Sequence, residues 1–267
     1  MKVAMAFEPI RTRPYRRVLE RIGRLAKEVG VRRVEVSLPD PEEEWGETEG
    51  LPHWVEAEGL EPICLCLGLR MPLSSAAERR KALRGLRRAV ELAGALGVKV
   101  LRVRPLGSEG EAFEEVFGPT SDLFSLAVLG AAEEGVIMAV ENGPACARTS
   151  AQLRRLIDKV ASPFFRASLD LAEFEQCGED VLTAVQNLAP FSVHVRLAGP
   201  WASMEGVDPP PTLRGVARAL HIAGYRGHLA VVGREGQNVD ELRRAVDLVK
   251  AAIDLAPQPL ACDGRDR

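Results

Sequence analysis

Short apolar runs alternate with amphipathic stretches from one end of the chain to the other. The runs are KVAMAF (2–7), RVEVSL (33–38), PICLCL (62–67), VKVLRV (98–103), VIMAVE (136–141), FRASLD (165–170), SVHVRL (192–197) and HLAVVG (228–233). Val136 to Val140 are apolar without a break, as in a strand buried on both faces. The runs recur about every 30 residues, the length of one βα unit. Between them, apolar residues fall at helical spacing over Arg16–Val29, Ala76–Leu96, Ser121–Glu134, Ser150–Val160, Glu179–Leu188, Pro211–Ala223 and Val239–Leu255, with a short second helix around His53–Glu58. Thr149 or Ser150 can cap the helix that follows. Gly30, Gly97, Gly135 and Gly224 each close a helix just before a strand.

Strands that alternate with helices predict a parallel sheet with helices outside it. Eight such units with no linker between them predict an α/β fold, a single (β/α)8 barrel over residues 1–256, and residues 257–267 read as a flexible tail. The other arrangement is an open doubly wound sheet. It usually carries a glycine-rich phosphate loop after strand 1, and FEPIRTRP has none.

In a (β/α)8 barrel the reacting groups stand where strands end. The polar residues there are Glu8; Glu35, Ser37 and Asp40; Arg104; Glu141 and Asn142; Asp170; His194 and Arg196; Arg234 and Glu235. A carboxylate at the end of a buried strand, such as Glu141, is costly unless something pairs with it. Glu141, Asp170 and His194 come from consecutive strands, and neighbouring strands lie about 4.8 Å apart. One divalent cation (manganese, iron, cobalt, zinc or magnesium) could touch all three. The other reading is a polar core layer in which Glu141 pairs with Arg104 or Arg196 and His194 satisfies a backbone group.

Composition changes this picture little. Hydrophobic residues make up 46% and charged residues 27% of the 267, ordinary for a globular protein. Net charge is −3 and the 35 basic residues are spread along the chain, which argues against nucleic acid as partner. The N-terminal apolar run is too short for a signal peptide, and no run approaches a membrane span. The odd count of five cysteines fits no zinc spacing, and all are read as reduced, in a cytoplasmic protein.

Several stretches together resemble one family. GVRRVEVSL, RRKALRGLRRAVELAGALGVKVLRV, GVIMAVENGP, ASLDLAEF, SVHVRLAG and AGYRGHLAVV are similar, in order, to the second, third and later units of the xylose-isomerase-like barrels. That superfamily holds sugar-phosphate isomerases and epimerases and the apurinic endonucleases. The resemblance implies a divalent metal held by Glu141, Asp170 and His194, with Glu141 as a proton-transfer base and Arg196 where the family often has a lysine. It implies no nucleotide or flavin cofactor. The family's fourth ligand, a glutamate on strand 8, falls at Val232, which cannot bind a metal. Glu173 stands where a strand-6 histidine is frequent, and Leu197 where an aspartate is. Only four histidines are present, which sets the chain apart from the multi-metal endonucleases.

Arg11, Arg13, Arg104, Arg196 and Arg234 cluster at strand ends and suit a carboxylate or phosphate ligand. With Asn142, Trp201 in the proline-rich loop after strand 7, and Glu235, the residues Arg104, Arg196 and Arg234 form the expected substrate-binding set. Two functions follow. One is a metal-dependent isomerase or epimerase moving a proton next to the carbonyl of a small carbohydrate. The other is a metal-free barrel that binds an anionic small molecule or a protein partner without catalysis. A homo-oligomer is compatible with both, and neither involves nucleic acid or membrane.

Overall fold

The computed structural model describes residues 1–7, 15–38, 48, 50–71, 75–107, 112–202, 204–234 and 237–257. Eight strands run in parallel: β1 (Lys2–Phe7), β2 (Arg33–Ser37), β3 (Glu61–Arg70), β4 (Val100–Leu106), β5 (Ile137–Glu141), β6 (Phe165–Asp170), β7 (Ser192–Leu197) and β8 (His228–Gly233). Each pairs with the next, and β8 closes on β1, so the sheet is a barrel with no free edge. The expected α/β architecture is the observed one.

Helices α1 (Tyr15–Val29), α2 (Leu51–Ala57), α3 (Ala76–Ala95), α4 (Phe113–Glu133), α5 (Ser150–Val160), α6 (Leu171–Gln176), α7 (Val181–Leu188), α8 (Pro211–Ile222) and α9 (Val239–Leu255) surround it. Most of the apolar core lies in the ring between strands and helices. Leu65, Leu67, Leu101, Val103, Val195 and Leu197 point outward there and meet Leu86, Phe124, Leu153 and Leu220. That uses up one face of every strand and leaves the alternate residues for the barrel interior.

Local rules explain the helix ends. Thr149 caps α5 and Ser75 caps α3, each with a reciprocal bond from the third helical residue. Gly30, Gly97, Gly135 and Gly224 all adopt positive φ where helices give way to strands. Two elements depart from the sequence pattern. Helix α4 starts at Phe113, ahead of the expected Ser121, and runs through Pro119. Ser121 Oγ donates to the Phe117 and Gly118 carbonyls around this proline. The stretch after β6 forms α6, capped by Asp170 itself.

Among the described residues no helix is long and apolar enough to cross a membrane. Glu8, Arg11, Arg13, Asp40, Glu235, Cys262 and nearly all of the expected tail lie outside the described residues.

Candidate functional site

The barrel interior is charged. Glu35 of β2, Arg102 of β4, Glu141 of β5, Asp170 of β6, and His194 and Arg196 of β7 are all buried there, none more than 4% exposed. His194 and Arg196 are two residues apart and so share one side of their strand, as do Arg102 and Arg104. The register slips between Val34 and Glu35 and between Ala167 and Ser168. Such irregularities re-aim side chains. They set Glu35 opposite Cys64, and Ser168 opposite His194.

Arg102, fully buried, is the centre of the network. Its Nε and Nη2 donate to Glu35 Oε2 and Oε1 at 3.0 and 2.8 Å, a bidentate fork. Its Nη1 donates to Glu141 Oε2. Arg196 Nη1 donates to Asp170 Oδ2 at 2.6 Å and stands 3.7 Å from Glu141 Oε2. His194 Nε2 lies 2.9 Å from Glu35 Oε2. An ionised carboxylate can only accept, so the imidazole proton sits on Nε2. Burial pushes the Glu35 carboxyl up, but Arg102, Arg196 and His194 overrule it and hold the group well below the usual carboxylate range. Burial also drives the Cys64 thiol well above its ordinary value, and that of Cys66 to about 11. Both are protonated packing residues of the interior.

Nearer the C-terminal mouth the groups are less enclosed. Arg104, a third exposed at its side chain, places Nε 3.5 Å from Glu141 Oε1. Glu173, in the first turn of α6, is about half buried. Burial, then the negative charges of Asp170 and Glu141, raise its carboxyl against the opposing pull of Arg104 and Arg196. Asn142 spends its amide on the chain: Oδ1 accepts from Asp170 N at 2.8 Å, and Nδ2 donates to Asp170 O at 3.0 Å. It clamps the ends of β5 and β6 together. Trp201 is buried in a single 3-10 turn, Gly199–Ala202, and its indole N–H has no partner there. Arg234 is exposed and its guanidinium packs over Gly199, where a Cβ would stand 3.5 Å from Nη2.

The fold and its polar interior now bear comparison with known proteins. Residues 23–256 match the family described as xylose isomerase-like TIM barrel. The chain belongs to that family. Its solved structural neighbours include L-ribulose 3-epimerase, at 17% identity and TM-score 0.77, with 96% of each chain covered. D-psicose 3-epimerase from Clostridium cellulolyticum H10, solved with D-tagatose, aligns at 14% identity and TM-score 0.73, over 98% of this chain and 100% of its own. The IOLI protein with a bound zinc atom aligns at 16% identity and TM-score 0.68, over 96% and 98%. At these identities the likeness is one of fold. No curated protein matches the sequence.

For a xylose isomerase-like barrel the test is whether the residues fit a divalent cation. Among the described residues, the donors that gather within 4.8 Å of one another are Glu35, Cys64 and His194, not Glu141, Asp170 and His194. Arg196 bonds Asp170, Arg102 bonds Glu141 and Glu35, and Asp170 Oδ1 accepts from Ala172 N. Val232 is 1% exposed and packs in an apolar wall with Ala4, Ala6 and Ala230. The carboxylates Glu35, Glu141 and Asp170 are each already paired with a guanidinium of Arg102, Arg104 or Arg196. A doubly charged ion would lie against guanidinium groups and would have to displace their bonds. The arrangement does not fit the family's cation at this position.

The residue that the sequence reading passed over is Arg102; Glu173 was named there only as a departure from the family's strand-6 pattern. The signal for Arg102 was its spacing of two from Arg104, which places both on the inner face.

Proposed function

We propose that this barrel binds a small carbohydrate, one with a carbonyl or an anionic group, at its C-terminal mouth. There it transfers a proton next to the carbonyl without a metal. The observation that carries this reading is the pair of guanidiniums beside Glu141 at the strand ends, the part-exposed Arg104 and the buried Arg196. The fold neighbours are sugar epimerases, which supports the substrate class.

In this reading Arg196 and Arg104 supply the positive charge that polarises a carbonyl. Donors aimed at developing negative charge count most in a site closed to water. Glu141 or Glu173 takes the proton from the carbon beside the carbonyl. The electron pair moves onto oxygen, giving an enediolate held by the arginines, and reprotonation of carbon completes the turnover. Glu173 suits the shuttle because its carboxyl is raised toward the working pH and is half open to the mouth. Trp201 and Arg234 are assigned to the rim that positions the rest of the ligand, whereas Asn142 acts through Asp170.

A second reading, binding without catalysis, draws on the same network. Glu141 is engaged by Arg102, and the β8 side of the interior carries the apolar Val232 and Ala230.

Metal content by plasma mass spectrometry, together with deuterium exchange of ketoses followed by NMR with and without chelator, tests both. The proposal expects a metal-free protein whose exchange survives chelator. Stoichiometric metal that falls in Glu141→Gln overturns the metal-free site, and absence of exchange across the ketose panel leaves the binding reading.

A further inference from the structure

The opposite end of the barrel holds a cavity of about 520 Å³, within the size range of small-molecule sites. Its walls are apolar where Ile63, Val98 and Val193 line it, and polar where Lys99, Arg226 and His228 do. It lies at the starts of β3, β4, β7 and β8, remote from the strand ends that carry Glu141 and Asp170.

The charge here is one-sided. Lys99 and Arg226 are exposed, and among the described residues neither has a carboxylate partner. His228 Nε2 is buried and makes no hydrogen bond, and Arg33 Nε beside it makes none either. Glu61 lies 3.4 Å from Arg33 Nε and is largely exposed. Lys2 and the N-terminal ammonium add to the positive field at His228, and His194 faces it from β7. Burial first, then these charges, push the His228 imidazole down to about 4, so it is neutral. Tyr225 Oη donates to the His228 carbonyl at 2.8 Å and backs the loop. Gly227 is fixed by crowding: a Cβ there would lie 2.3 Å from Val193 O and 2.5 Å from Tyr225 Oη. Lys99 and Arg226, without carboxylate partners among the described residues, line the same cavity as His228, whose ring nitrogen is buried and unpartnered. Several donors on one small ligand favour phosphate, and the apolar wall favours an organic body on it.

We propose that the N-terminal mouth of the barrel is a second binding site, for a small organic phosphate, with Lys99 and Arg226 holding the anion and His228 Nε2 contacting it. The site is independent of the chemistry at the other mouth.

The test is NMR of the four histidine side chains in the whole protein, with His228 assigned through His228→Gln, during titration with inorganic phosphate and with phenyl phosphate. Saturable movement of the His228 signals is expected, with a rise in its titration midpoint and tighter binding of phenyl phosphate. The surface double variant Lys99→Glu/Arg226→Glu, shown folded by its melting curve, should weaken binding by about tenfold or more. Arg104→Gln, at the other mouth, should leave it unchanged. Unmoved His228 signals overturn the proposal. So does binding that survives the double variant or is lost in Arg104→Gln.

Discussion

Arg102 shows what one buried residue commits a barrel to. It has no exposed surface and serves two carboxylates from two other strands. A buried ion pair is weak evidence of net stability, because desolvation offsets attraction. Removing one partner is another matter. Arg102→Met leaves Glu35 and Glu141 short of a counter-charge, and urea unfolding should show a loss of about 3–5 kcal/mol. Glu173→Gln should do the reverse: stability near wild type, because the group is half open, and exchange of the substrate proton slower by about a hundredfold or more. The slow exchange should lose the pH dependence that the raised Glu173 carboxyl gives it, which separates a proton shuttle from a packing role.

At the scale of elements, the polar end of β6 is built from chain geometry. Asp170 caps α6 with one oxygen and takes Arg196 with the other, while Asn142 holds its backbone from β5. Asn142→Ala removes two bonds to buried backbone groups, and thermal or urea unfolding should register about 1–3 kcal/mol. The elements themselves were largely readable in advance. Strands 165–170, 192–197 and 228–233 and helices 150–160 and 239–255 stand where hydrophobic period and caps put them. Two misses have local causes. Pro119 marks a break by propensity, but the helix continues through it. Helix α6 is too short to display a period. At the site, Glu35, Glu141, Asp170, His194 and Arg196 were legible as strand-end polar residues, and all five lie in the interior. Their partners were not legible, since pairing depends on register between distant strands.

For the whole molecule, acid is the condition that tests the charged interior. His228 titrates at about 4 in the fold against an ordinary 6.5. A lowered histidine contributes stability that is full above 6.5 and is lost as pH falls toward 4, because the unfolded chain binds the proton first. Glu35 is held below its ordinary 4.5, so its contribution is also present above that value and lost as pH falls further. These two groups should therefore lower the melting temperature in two stages on acidification, against the opposite contribution of the raised Asp170 and Glu173 carboxyls. His228→Gln should flatten the stage between 6.5 and 4 and spare the one below 4.5, as followed by calorimetry across pH.

The sequence by itself determined the order of the strands and of every helix but α6, the closed α/β barrel, and the family, because period, caps and glycine ends are local properties. It also determined that carboxylates, arginines and a histidine collect at strand ends. Only the tertiary structure decided what they meet. Arg102 and Glu35 are 67 positions apart, and Glu35 and His194 are 159. Closure of the barrel and the register slip at Glu35 bring them into contact. Strand alternation says that Arg102 faces inward, but contact across the barrel is what turns it into the counter-charge of Glu35 and Glu141.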